Sequence, residues 1–143
     1  MPRILYLAGG KLEGKRILDL GCGSVATLDN AYGSTKAPDF EPWLCRALHE
    51  SGVKVIGVDY FSPQETSQES FEFHKRNLLE QGALDFIPDK SIDIANARFL
   101  FNSPTLLNLY EEKNFMQNIQ NVLLPQLERI VKPDGFFIHR EKI

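Results

Sequence analysis

Residues 16–24 read RILDLGCGS and place an acid and two glycines directly after a short apolar run. An apolar run of this length is typical of a strand buried on both faces of a parallel sheet. Gly21 and Gly23 allow backbone conformations that are closed to other residues, and they let a ligand approach the main chain. A turn at the carboxyl end of a central strand lies where open α/β sheets bind ligands. The stretch therefore predicts a small-molecule site.

Asp19 separates the ligand classes that such a turn could hold. A dinucleotide-binding turn, G-x-G-x-x-G, presents bare amides to a pyrophosphate, which an adjacent carboxylate would repel. Ala26 stands where the third glycine would fall, a replacement that the dinucleotide pattern tolerates, so the acid carries the discrimination. Asp19 favours a ligand with a positive charge. A buried strand ending in a tight turn without any ligand is the remaining alternative.

The sequence DLGCG resembles the first motif of the class I S-adenosylmethionine-dependent methyltransferases. The resemblance implies that Asp19, Gly21, Cys22 and Gly23 surround the methionine part of S-adenosylmethionine, with the acid interacting with its amino group, often through water. Many members carry a further glycine where this chain has Val25.

Asp59 ends a second apolar run, VKVIGVD, at residues 53–59. The two oxygens of one carboxylate can accept the 2′- and 3′-hydroxyls of one ribose. The resemblance implies this role for Asp59, and it implies that Tyr60 lies near the adenine, where its ring could stack. The alternatives are an aspartate that caps the next turn and a tyrosine that only closes the loop.

Two further strand ends complete the predicted cofactor site. Residues 71–75 alternate as a short edge strand would, and Asn77 and Leu78 follow that strand. The resemblance implies that a polar residue here meets the adenine amino group, although a turn-forming asparagine is the competing interpretation.

The segment ALDFIPDKSIDIANARFLF, residues 83–101, resembles the family's approach to its fourth strand. Ala97 and Arg98 then lie near the cofactor-facing end of that strand. The Asn/Asp-Pro-Pro-aromatic motif of methyltransferases that act on amide or exocyclic nitrogens is not found at this strand end, and Asn102-Ser103-Pro104 is more typical of a helix start. The sequence therefore nominates no catalytic base, and it nominates no metal ligand.

The elements that position these residues follow from the patterns between them. Gly23 and Asp59 are 36 positions apart, against about 20 in ordinary nucleotide-binding units. The excess falls in Val25–Asp39, a polar segment that is either a cover over the cofactor or a variable surface loop. A helix is predicted from Phe40 to Ser51, with Asp39 as its N-cap, Trp43, Leu44, Ala47 and Leu48 on its apolar face, and Gly52 as its stop.

The last third of the chain has a helical pattern from Leu106 to Val131 that Pro125 should interrupt. We expect one helix to end near Leu123 and a second to run from Pro125 to Val131. Residues 132–135, Lys-Pro-Asp-Gly, resemble the family's turn before strand five, and residues 135–139 form that strand. Nearer the N-terminus, residues 5–8 are predicted to pack and residues 9–14 to turn.

Alternating strand and helix patterns predict an α/β three-layer α/β/α sandwich with a mainly parallel five-stranded sheet in the order 3-2-1-4-5, the Rossmann-like methyltransferase fold. Residues 1–143 are predicted to form one domain. Most members continue after strand five, whereas this sequence ends at Ile143. An open fifth strand suggests a homodimer across that edge, or capping by the N-terminal segment.

Composition limits the remaining function classes. A net charge of −3 and a pI near 5.6 argue against a broad nucleic-acid-binding or anionic-membrane surface. Two cysteines are too few for a disulfide framework, no apolar run reaches the roughly 20 residues of a membrane span, and a cytoplasmic location is the default.

The function predicted from the sequence is an S-adenosylmethionine-dependent methyltransferase acting on a small molecule. The alternative is a protein that binds S-adenosylmethionine or S-adenosylhomocysteine without catalysis. A dinucleotide-dependent oxidoreductase is disfavoured by Asp19.

Overall fold

Five strands form one parallel sheet in the order β3-β2-β1-β4-β5, which confirms the predicted order 3-2-1-4-5. The computed structural model describes residues 2–23, 42–59, 70–98 and 112–139. The strands are β1 Arg16–Leu20, β2 Lys54–Asp59, β3 Glu72–Lys75, β4 Ile92–Asn96 and β5 Val131–Ile138. The central strand β1 pairs with β2 on one side and with β4 on the other. Because all neighbours are parallel, their carboxyl ends meet at one edge.

Helices cover both faces of this sheet and give the predicted three layers. One face carries α1 Pro2–Leu7 and α2 Trp43–Glu50. The other carries a nearly continuous helix made of α3 Glu112–Asn118, a π-helical segment Ile119–Leu123 and α4 Leu124–Ile130. None of the helices within the described residues is both long and apolar enough to cross a bilayer.

The apolar run of β1 is divided between the two cores. Ile17 packs on the side of α1 and α2, whereas Leu18 and Leu20 pack on the side of α3 and α4. Successive side chains of a strand point to opposite faces. A strand covered on both faces therefore needs apolar residues at consecutive positions, and Asp19 is the exception that needs an explanation.

The predicted interruption at Pro125 is a π-helical turn and not a break. The amide of Leu124 bonds to the carbonyl of Ile119, five residues earlier, and Pro125 then lies in the first turn of α4. Proline lacks an amide hydrogen and is tolerated in a first turn. The wider turn lets the helix continue across the proline.

The predicted turn at residues 132–135 is wrong, since these residues lie within β5. Ile92 is opposite Val131 but Ile94 is opposite Phe136, so the irregularity is absorbed inside the β4–β5 pair. Lys132 Nζ lies 2.8 Å from Asp93 Oδ1 and holds this irregular stretch to β4.

Two predictions about helices need correction. The apolar face of α2 contains Cys45, while Trp43 is half exposed. Residues 2–7 form α1, in which Ile4 is buried and Leu5 is exposed, whereas Leu7 and Ala8 pack as predicted. The predicted start of α2 at Phe40, its cap Asp39, the segment Val25–Asp39 and Asn102-Ser103-Pro104 lie outside the described residues.

Candidate functional site

The carboxyl edge of the sheet between β1 and β4 is the point where the direction of strand order reverses. From β1 the chain proceeds outward to β2 and β3, and β4 and β5 then lie on the other side of β1. Loops leave in opposite directions at such a point and open a crevice, which is where open α/β sheets bind ligands. The glycine turn at residues 21–23 begins there, directly after β1.

The three amides of this turn are all bonded to β2. Gly21 N and Cys22 N donate to the carbonyl of Val58, at 2.8 and 3.2 Å. Gly23 N donates to Asp59 Oδ2 at 2.8 Å. Gly21 and Gly23 have φ angles of 71° and 96°, which is the left-handed region that glycine adopts without strain. The glycines thus fold the turn back onto the second strand.

Asp19 lies beneath this turn and is 1% exposed. Its Oδ1 accepts a hydrogen bond from Asn96 Nδ2 at 2.8 Å, and its Oδ2 accepts one from the Cys45 thiol at 3.5 Å. The pKa of Asp19 is raised to about 6, chiefly by burial and also by the negative charge of Asp59, whereas the hydrogen bonds from Asn96 and Cys45 lower it. Within the part of the chain that the structure describes, the groups acting on this carboxylate are thus two neutral donors and a second acid.

Cys22 and Cys45 meet below the turn on the face of β2. A Cβ at Gly57 would lie 2.9 Å from Cys22 Sγ and 3.2 Å from Cys45 Sγ, so Gly57 leaves the space that both sulfurs use. Burial raises the pKa of the Cys22 thiol well above its ordinary value, and a hydrogen bond with Cys45 raises it too. A buried thiol of this kind is a poor nucleophile, so Cys22 serves packing at the turn.

Asp59 ends β2 at the outer side of the turn. Its side chain binds Gly23 as described, and its carbonyl accepts a hydrogen bond from Arg76 N at 3.0 Å. The residue therefore connects the glycine turn to the end of β3. Tyr60, the next residue, lies outside the described residues.

Asn77 forms a turn directly after β3. Its Oδ1 accepts a hydrogen bond from Leu79 N and its carbonyl accepts one from Glu80 N, both at 3.1 Å. This is the geometry of the turn-forming asparagine named as the competing interpretation. Leu78 is buried in the core under α3 and α4.

Ala97 and Arg98 follow β4 at the same edge. Ala97 is buried and its amide donates to the carbonyl of Ile138 at 2.8 Å, while Arg98 is exposed. The part of the chain that the structure describes contains no group of three or more His, Cys, Asp or Glu residues placed to hold a metal ion.

The structure thus brings Asp19, residues 21–23 and Asp59 together in one bonded unit, and it places Asn77, Ala97 and Arg98 at the ends of neighbouring strands. Two members of the unit, Asn96 and Cys45, were missed from the sequence. The available signal for Asn96 was a polar residue at the end of the otherwise apolar run IDIAN, aligned with Asp19 once the strands are paired. Cys45 gave no such signal, because it shares the buried face of α2 with Leu44 and Leu48 and so resembles an ordinary core residue.

Comparison with known proteins adds a likeness in overall structure. No protein-family model matches the chain, and no curated protein sequence matches it. A crystal structure described as the trans-methyltransferase CalH in complex with SAH is similar to this chain, with a TM-score of 0.46 and 14% sequence identity. The likeness covers 96% of this chain and 34% of that one, so this chain spans about a third of the length of that protein.

Proposed function

We propose that the chain binds S-adenosylmethionine at the carboxyl edge of β1 and β2 and is a methyltransferase acting on a small molecule. The observation that carries the proposal is that the amides of the glycine turn are already hydrogen-bonded to β2. Gly21 N, Cys22 N and Gly23 N all donate to β2, so none of these amides is left for a ligand, which instead meets the Asp59 carboxylate and the charge of the buried Asp19. That donor set suits a ligand with an ammonium group and hydroxyls.

The same observation disfavours a dinucleotide. A pyrophosphate is held by amides that point outward from the turn and by a helix N-terminus, and it is repelled by nearby anions. Here the turn amides point to Val58 and Asp59, and the charge of Asp19 acts on Cys22 in the same turn. To bind the pyrophosphate of NAD, the turn would have to release these amides from Val58 and Asp59.

The chain's own residues divide the cofactor between them. Asp19 supplies a negative charge below the turn, where its field in a poorly solvated interior acts on an ammonium group without direct contact. Asp59 carries a carboxylate able to receive ribose hydroxyls while it keeps the turn attached to β2. When bound, S-adenosylmethionine supplies the activated methyl group, and the protein contributes alignment.

Titration calorimetry with S-adenosylmethionine, S-adenosylhomocysteine and NAD tests the proposal. We expect binding of the first two and no heat with NAD. Asp134→Asn, which neutralises an exposed acid in β5, serves as the control for general loss of charge and should bind normally. Binding of NAD but not of S-adenosylhomocysteine by the folded protein would contradict the proposal.

A binding protein without catalysis is the second candidate. The observation that favours it is the chemistry of the buried unit, in which Cys22 is a poor nucleophile and Asp19 is enclosed by hydrogen bonds. Transfer of a labelled methyl group from S-adenosylmethionine to any component of a small-molecule extract separates the candidates. Tight binding with no transfer supports the binding-only alternative.

A further inference from the structure

We propose that Asn96 is a positioning residue whose side-chain amide holds the Asp19 carboxylate, as a negative charge, beneath the glycine turn for a cationic group of the ligand. This inference rests on the proposed function and assigns a role to a residue outside the predicted site. It starts from the register of the sheet, in which Asp19 and Asn96 are direct partners on β1 and β4.

Register places the two side chains at the strand-order reversal. Both residues end or nearly end their strands at the carboxyl edge, and the Asn96 amide reaches Asp19 Oδ1 at 2.8 Å. Asn96 is 3% exposed and Asp19 is 1% exposed, so their hydrogen bond is a buried contact and not a surface contact. A buried polar pair across two strands restricts the carboxylate to one orientation.

Among the residues that the structure describes, no cationic side chain acts on this pair. The described groups facing Asp19 are Asn96 on β4, the thiols of Cys45 on α2 and Cys22 in the turn, and the carboxylate of Asp59 at the end of β2. A buried carboxylate that faces only neutral donors and another acid is stabilised by a cation from outside. A ligand ammonium group above the turn would supply it.

Asn96 contributes to this arrangement in a way that packing alone does not explain. A leucine would fill similar space in the apolar interior, but it would remove the donor at Oδ1. With one donor fewer, the carboxylate takes up a proton more readily and its pKa rises, because the Asn96 hydrogen bond lowers that pKa. Removing the amide therefore lowers the ionised fraction of Asp19 at a given pH.

The experiment compares Asn96→Leu with the wild-type chain in two measurements. The first is a carbon-13 NMR titration of the Asp19 carboxyl without ligand, in which the midpoint should lie near 6 in the wild type and higher in the variant. The second is the affinity for S-adenosylhomocysteine by calorimetry from pH 5 to pH 8.5. If Asp19 becomes about a tenfold weaker acid, the affinity falls by up to about tenfold at low pH and returns toward wild type at high pH.

A double variant tests whether Asn96 affects ligand binding through Asp19. In an Asp19→Asn background the carboxylate is absent, so Asn96→Leu should cause little further loss of affinity. Asn96→Ala provides a second substitution if the leucine variant does not fold, and circular dichroism checks folding of each protein.

Three results with Asn96→Leu would overturn the role of Asn96, and a fourth, with the wild-type chain, would overturn the proposed function. An unchanged Asp19 midpoint in Asn96→Leu would remove the coupling, and an equal loss of affinity at every pH would show a structural lesion. Failure of the wild-type chain to bind S-adenosylhomocysteine would overturn the proposed function itself. Binding that survives with an unchanged pH profile in the variant would overturn the role of Asn96 alone.

Discussion

The Asp19 carboxylate lowers the stability of the fold when it is ionised. Its pKa in the folded chain is about 6, above the ordinary value of 3.8. The folded state therefore binds more protons than the unfolded state between those pH values, and this residue's contribution to stability falls as pH rises through that window. Above about pH 6 the full penalty persists. A group that opposes folding at neutral pH is a candidate for a functional role.

Asp19→Asn tests whether the ionised carboxylate destabilises the fold. The amide keeps the shape of the carboxylate and can still accept from Asn96, so we expect the variant to be more stable than wild type at pH 8 by roughly 1 to 3 kcal/mol. The difference in urea unfolding free energy should grow from pH 4 to about 6 and then stay constant. Affinity for S-adenosylhomocysteine should fall. A variant less stable than wild type at pH 8 would contradict this account.

Asp59 differs from Asp19 in its surroundings, because its side chain accepts a hydrogen bond from the Gly23 amide at a half-buried position. Asp59→Ala should weaken binding of S-adenosylhomocysteine by about 1.5 to 3 kcal/mol, the range for hydrogen bonds to a charged group. Asp59→Asn is the matched control, since its oxygen can still accept from Gly23 N and hold the turn. Calorimetry on both variants separates the loss of a ligand contact from the loss of the turn, and unchanged affinity in folded Asp59→Ala would rule out the ribose assignment.

At the scale of the element, β2 and the glycine turn behave as one unit. Two carbonyl bonds and one carboxylate bond join them, and Gly57 leaves room for the sulfurs of Cys22 and Cys45 on the inner face. Phe71 closes the third side of this space, with Cε2 3.0 Å from the position of a Gly57 Cβ. The turn therefore depends on a strand interior as well as on its own glycines.

Gly57→Ala should destabilise the chain by roughly 1 to 3 kcal/mol, as overpacked cores do, because the added methyl group meets three atoms at close range. Removing the sulfur in Gly57→Ala/Cys22→Ala should recover part of that loss, with Cys22→Ala alone as the reference. Thermal unfolding of the four proteins measures the coupling. Full stability of Gly57→Ala would mean that the two sulfurs move aside freely.

At the scale of the whole molecule, β5 lies at one edge of the described sheet and β3 at the other. The first half of β5 carries two charges and a proline, Lys132, Pro133 and Asp134, which oppose pairing of an edge strand with another chain. The second half carries the exposed ring of Phe136. We expect a homodimer that uses this half of the edge.

Sedimentation velocity over a range of concentrations checks the association. Phe136→Lys should return the chain to monomer, since lysine on an edge strand opposes pairing. Tyr6→Lys, which changes an exposed aromatic residue on α1, is the control and should leave the dimer intact. A monomer at every concentration would contradict the predicted dimer through the β5 edge.

Local patterns in the sequence determined β1 to β4, the glycine turn and the acids at two strand ends, and the alternation of elements predicted the sheet order; the first half of β5 was instead predicted as a turn. The four strands and the glycine turn depend on residues that are neighbours in the chain, so composition and spacing encode them. The β4–β5 irregularity and the π-helical turn were decided by tertiary packing, since each adjusts one element to another.

The site shows the same division. Asp19 could be named from its own motif, but its partners Asn96 and Cys45 are 77 and 26 positions away. Whether a side chain 77 positions away meets the carboxylate depends on the register of β1 against β4, which the packing of both cores sets together. The sequence thus identified the Asp19 carboxylate. Only the folded sheet decided which groups donate hydrogen bonds to that carboxylate and which amides of the turn donate to β2.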